Sequence, residues 1–248
     1  VNPGRVKSRD GLEGRAASFF SLDWQHGLKR EGEGRHWWLV IRDFMDNGDS
    51  ELVYEDKLYT ETDVLKCLDE HSCSRNAGAA DCTWDKSYVT DFCLRSGIHC
   101  FESTDKASFS HGKDDGRKIY SVAEPLHAGM NRQPKYDYYV QDIGNGPEML
   151  PDPREPMLWR VSKYGIMDRL GWIRGEKSGV KWEVPGDVSE EYKKQIDSWI
   201  FVKTGKPHPR TGEDQYGWKE VYKHNHQHYN ESCICVFAEM AGLIGVPA

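Results

Sequence analysis

Long apolar runs are missing from this chain. No stretch approaches the roughly 20 apolar residues needed to cross a bilayer, and short segments such as residues 37–41 are the longest, so a membrane span is not expected. Long basic runs are missing as well. With 33 Lys and Arg against 40 Asp and Glu, the formal charge is −7. No clustered cationic face for a phosphate backbone is visible, so nucleic acid is not expected as a partner. No internal repeat or low-complexity tract is visible.

What is present fits a packed globular protein. Hydrophobic residues make up 38% of the 248, and aromatics 12%, with nine Trp. This profile differs from the aromatic-poor signature of disorder, and the length suits one domain over residues 1–248.

Seven cysteines bear on the compartment. Cys67, Cys73, Cys82, Cys93 and Cys100 crowd residues 67–100, which read as a loop-rich segment, and Cys233 and Cys235 lie near the end. The cluster spacings of 6, 9, 11 and 7 residues do not supply paired C-x2-4-C knuckles for zinc. Disulfides are the expectation, and with them a secreted, extracellular location. The start at Val1 without an apolar leader is what a mature secreted polypeptide would show. Asn230-Glu231-Ser232 is an acceptor sequence for N-glycosylation.

Local patterns predict an α+β fold, an antiparallel sheet with flanking helices, stabilised by disulfides. Residues 36–42 are aromatic and β-branched, and Asn47-Gly48 separates them from Leu52-Val53-Tyr54, a strand–turn–strand signal. Residues 63–70 read as a short amphipathic helix. Ser189, as a cap, precedes Tyr192, Ile196, Trp199 and Ile200 at helical spacing, which predicts a helix that stops before Gly205. Ser232 is the expected cap of a last helix, with Cys233, Phe237, Met240 and Ile244 on one face.

Under that reading Cys233 occupies the first turn of the last helix, where unpaired amides and the positive dipole end favour a thiolate. His36, at the head of a buried strand, is the candidate base, with an imidazole of the 224–228 run such as His228 as another. The residues His36-Trp37, together with Asn230, Cys233 and Phe237, resemble motifs of the permuted branch of the papain-like NlpC/P60 superfamily. In that branch a His-Trp strand comes first and an Asn-Cys helix start last. Here two residues separate Asn230 from Cys233, and Phe237 is four positions beyond the Cys. The superfamily comprises peptidases, amidases and acyltransferases, so the resemblance implies a thiol hydrolase or acyltransferase acting on a peptide, amide or ester, without a cofactor.

Two other readings stand beside it. His224, His226 and His228, placed on a strand, would share a face and hold a hydrolytic zinc, with His111 and His127 as further ligands. Alternatively the cysteines are all structural, and the chain is a secreted effector or binding protein. Asp43, Asp46 and Asp49 read as a hairpin turn rather than a calcium loop. Glu124, Asp142 and Glu148 are carboxylates of the kind that hydrolyse glycosides.

Overall fold

A computed structural model describes residues 15–26, 34–104, 109–111, 114–120, 124–126, 156–175, 178–207, 211–212 and 214–245. Three long strands open the fold: β1 (Arg15–Gln25), β2 (His36–Met45) and β3 (Ser50–Leu58), each antiparallel to the next. The β2–β3 turn forms as Asn47-Gly48 predicts. The Asn47 side-chain oxygen accepts the Asp49 N–H at 3.0 Å, and Gly48 takes a φ of 85°. A Cβ at Gly48 would also lie 2.4 Å from the Leu243 carbonyl oxygen, so glycine is required twice over.

The chain then passes to the other side of β1. Helix α1 (Glu61–Glu70), capped by Thr60, leads into β4 (Gly78–Asp81), which lies parallel beside β1. Helix α2 (Lys86–Ser96) is capped by Asp85 and ends at Gly97 in the left-handed conformation, and it leads to β5 (His99–Thr104), parallel to β4. A small hairpin, β6 (Phe109–His111) and β7 (Asp114–Lys118), comes next. The edge pair β8 (Glu124–Pro125) and β9 (Met157–Ser162) follows, with β9 parallel to β5. After α3 (Lys163–Ile173), β10 (Trp182–Glu183) joins the far edge beside β3. Helix α4 (Glu190–Ile196), the hairpin β11 (Trp199–Pro207) and β12 (Asp214–Glu220), and helix α5 (His226–Met240) complete the described chain. The main sheet runs β10-β3-β2-β1-β4-β5-β9-β8.

Strand alternation gives this sheet two apolar faces. Phe20, Leu22 and Trp24 of β1, with Trp37, Leu39 and Ile41 of β2, pack against Leu68, Val89 and Phe92 of α1 and α2. Phe19, Val40, Phe44 and Phe101 point the other way, onto Leu170, Ile196, Ile234 and Phe237 of α3, α4 and α5. A strand covered on both faces is apolar throughout, which is why residues 36–42 read as an inner strand.

The expectation of a mixed α and β protein holds, and four of its details are corrected. The sheet is mixed: it is antiparallel within β1–β3 and at the β8–β9 edge, and β10 joins β3 in parallel. β4, β5 and β9 are parallel to one another, as helical crossovers before β4 and β5 require. Residues 67–100 are not loop-rich, since they carry the end of α1, then β4, α2 and the start of β5. All seven cysteines are free and buried, so the expected disulfides are not formed. Cys67, Cys73, Cys82, Cys93 and Cys100 belong to the layer between the sheet, α1 and α2, where they serve as small apolar side chains. The helix capped by Ser189 stops at Ile196, and Trp199 and Ile200 open β11 instead.

Candidate carboxylate site

The sheet order contains one reversal that matters. From β1 the chain steps outward to β2 and β3, then returns to place β4 on the opposite flank of β1. In open sheets of this kind, ligands bind beyond the carboxyl ends of the strands at such a switch point. Asp23 on β1 and Asp81 at the last position of β4 are direct neighbours there in the parallel register. Neighbouring strands lie about 4.8 Å apart, and alternation puts both side chains on the α5 face, with Phe19 and Ala79.

Each carboxylate is oriented by its surroundings. Asp23 accepts from His226 Nδ1 at 2.7 Å through Oδ2 and from Gln25 Nε2 at 3.0 Å through Oδ1. Asp81 accepts from the Thr83 N–H at 3.0 Å and from the Thr83 hydroxyl, both on Oδ1, and Thr83 in turn contacts Ser103 at 3.2 Å. Among the described residues no hydrogen bond reaches Asp81 Oδ2. Burial, and then the Asp23 charge beside it, push Asp81 up to about 7.

Helix α5 carries His226 to Asp23 because it is pinned along its length. Asn230 accepts from Ser21 Oγ at 3.0 Å and donates to the Trp38 carbonyl at 3.3 Å. At the next residue, Glu231 receives Arg42 of β2 through two bonds, at 2.9 and 3.0 Å, and also accepts from the Tyr192 hydroxyl. The His226 ring stacks on Trp38 with an interplanar angle of 16°. The helix starts at His226 although Asn225 makes no side-chain cap. Gln195 of α4 supplies the missing acceptor, taking the Gln227 N–H at 3.0 Å.

The structure separates the residues of the thiol reading. Cys233 lies seven residues beyond the start of α5 and not in its first turn, so the expected helix-start activation is missing. Its thiol is buried against Ser21 and Tyr229, and burial followed by the Asp81 charge pushes it well up, the reverse of an activated thiol. His36 faces Gln25, four residues along β1 from Ser21 or about 13 Å, and its Nδ1 lies 2.8 Å from the Gly34 carbonyl. His228 is buried on another side of α5, where its Nδ1 donates to the Ile196 carbonyl at 2.7 Å. Burial pushes its pKa down.

The three imidazoles of the zinc reading do not converge either. His226 and His228 sit two apart on a helix, about 200° around its axis, whereas a strand would have placed them on one face. Only His224 and His226 remain neighbours, with ring centroids 6.2 Å apart. Among the described residues no group of three or more His, Cys, Asp or Glu forms a metal cluster. Asn230 is fully buried and engaged on both sides, which leaves no room for a glycan. Asp49 serves the hairpin turn, accepting from Asn47 and from the Lys181 N–H. His127, Asp142 and Glu148 lie outside the described residues, as do the side chains of His111 and Glu124.

Asp23 and Asp81 escaped the sequence reading. The available signal was a single acid closing an apolar strand, once after residues 16–22 and once after Gly78-Ala79-Ala80. No family model, no curated protein and no solved structure matches this chain.

Proposed function

We propose that this chain hydrolyses phosphodiester bonds of nucleic acid with a divalent cation held by Asp23 and Asp81. The observation that carries the reading is the pairing of these two carboxylates at the switch point, oriented from behind and with Asp81 Oδ2 open. Two hard oxygen donors that leave most of the coordination shell to water and phosphate suit Mg2+ or Mn2+. Such an ion, when bound, neutralises charge on the phosphate and makes water a better nucleophile.

The chain's own residues position and orient. His226 and Gln25 hold Asp23, and Thr83 holds Asp81. In the reaction a water oxygen forms a bond to phosphorus, the ester P–O bond breaks with its electron pair on the leaving oxygen, and that oxygen takes up the water's proton.

Arg35 and Lys57, with the exposed Tyr59 and Trp84, come from segments that meet at this end of the sheet, where His26 and Lys86 are paired with Asp85 and Glu102. Basic groups interleaved with aromatics are the footprint of single-strand binding. A proton-sharing carboxyl dyad is the competing reading. Cleavage with and without chelator separates the two, because a proton-sharing dyad works without a metal ion and is indifferent to chelator.

The test is cleavage of a labelled oligonucleotide with Mg2+ or Mn2+ and with chelator. The proposal expects chelator-sensitive cleavage that falls at least 100-fold in Asp23→Asn and Asp81→Asn variants with unchanged circular dichroism. No cleavage, or cleavage indifferent to chelator or to both variants, would overturn it.

A further inference from the structure

Trp84 is the most exposed large apolar side chain among the described residues, at 88% of its full accessibility. A tryptophan left in water forgoes the burial gain that Trp24, Trp37, Trp38 and Trp159 take. Its position is not that of a random surface residue. It lies three residues after Asp81, so at most about 11 Å of chain separates their Cα atoms.

The segment that presents Trp84 is fastened on both sides. Before it, Thr83 bonds Asp81 and contacts Ser103. After it, Asp85 caps α2 by accepting the Tyr88 N–H and pairs with His26 at 3.0 Å. Lys86, the next residue, is held by Glu102 at 2.9 Å. The backbone that carries the indole is thus held in place beside Asp81, while the ring itself stands in solvent with both faces open to a flat ligand.

We infer that Trp84 stacks on a nucleobase next to the scissile phosphate, and that the substrate is therefore single-stranded at that point. A base inside a duplex has both faces covered by its neighbours, so only an unpaired or splayed base offers a face to an indole. This inference rests on the phosphodiesterase reading and adds to it a contact that is sequence-tolerant, because every base has a π-face.

Stacking on an aromatic side chain is worth about 1–3 kcal/mol per base, which corresponds to a factor of about 5 to 150. The experiment compares Trp84→Ala and Trp84→Phe with the unaltered chain on three substrates: a single-stranded oligonucleotide, the same oligonucleotide with an abasic site beside the cleavage position, and bis(p-nitrophenyl) phosphate. The expected result is a loss of at least fivefold in kcat/KM for Trp84→Ala on the intact oligonucleotide only, with Trp84→Phe largely retaining activity. Binding of the intact oligonucleotide should also quench tryptophan fluorescence, and the quench should shrink in Trp84→Ala.

Equal activity of Trp84→Ala on all three substrates would overturn the stacking role while leaving the phosphodiesterase reading intact. So would an equal loss on the abasic substrate. Absence of metal-dependent hydrolysis of both oligonucleotide and small diester by the unaltered chain would overturn both.

Discussion

Arg42 and Glu231 meet in a two-pronged ion pair between β2 and α5, with both side chains fully buried. The guanidinium has further partners in the Glu183 carbonyl at 2.9 Å and the Trp182 ring at 3.9 Å, so one side chain ties α5, β2 and β10 together. Removing one member leaves an uncompensated charge in the core. Glu231→Ala should lower the unfolding free energy by about 3–5 kcal/mol, read from the denaturant midpoint at unchanged slope. A joint Arg42→Met, Glu231→Leu replacement should cost much less. If the single variant unfolds at the original midpoint, the pair does not hold α5 in place.

His99 gives the protein an acid-sensitive element. Its Nδ1 accepts the Met157 N–H at 2.9 Å, and burial lowers its pKa from 6.5 to about 4. The folded state therefore resists protonation that the unfolded chain accepts. The contribution is whole above pH 6.5 and is lost as pH falls toward 4, by about 1.4 kcal/mol per pH unit. Imidazole NMR at pH 6 should show His99 neutral with the proton on Nε2. A charged His99 at that pH would refute this.

The thiols should be silent in the native state. Iodoacetamide without reductant is expected to label none of the seven cysteines in the folded protein and all seven after unfolding. Cys233→Ala should keep oligonucleotide cleavage within about threefold. Rapid native labelling of Cys233 with loss of activity would instead restore the nucleophile reading.

His226 acts through Asp23, so His226→Ala should impair the site less than loss of either carboxylate. A fall of about tenfold in kcat/KM is expected, with the deficit growing at low cation concentration. An effect as large as that of Asp23→Asn would place the imidazole on the substrate itself.

Legibility differed sharply between elements. The β2–β3 hairpin could be read because its turn chemistry and apolar pattern are local, and Ser189 was a visible cap for the same reason. The start of α5 could not, because its capping acceptor is Gln195, 32 positions away in the chain from Gln227. That displacement moved Cys233 out of the first turn and undid the chemistry assigned to it. The cysteines misled because their density is equally that of a buried apolar layer. Asp23 and Asp81 stand 58 residues apart, and only the crossover through α1 makes them neighbours.

Titration of Mn2+ into the protein, followed by isothermal calorimetry at pH 8 where Asp81 is ionised, tests the carboxylate site most directly. The proposal predicts saturable binding that weakens at least tenfold in Asp81→Asn and likewise in Asp23→Asn, with His36→Ala unaffected. Binding of equal strength in the unaltered chain and both carboxylate variants, or no binding at all, would contradict it.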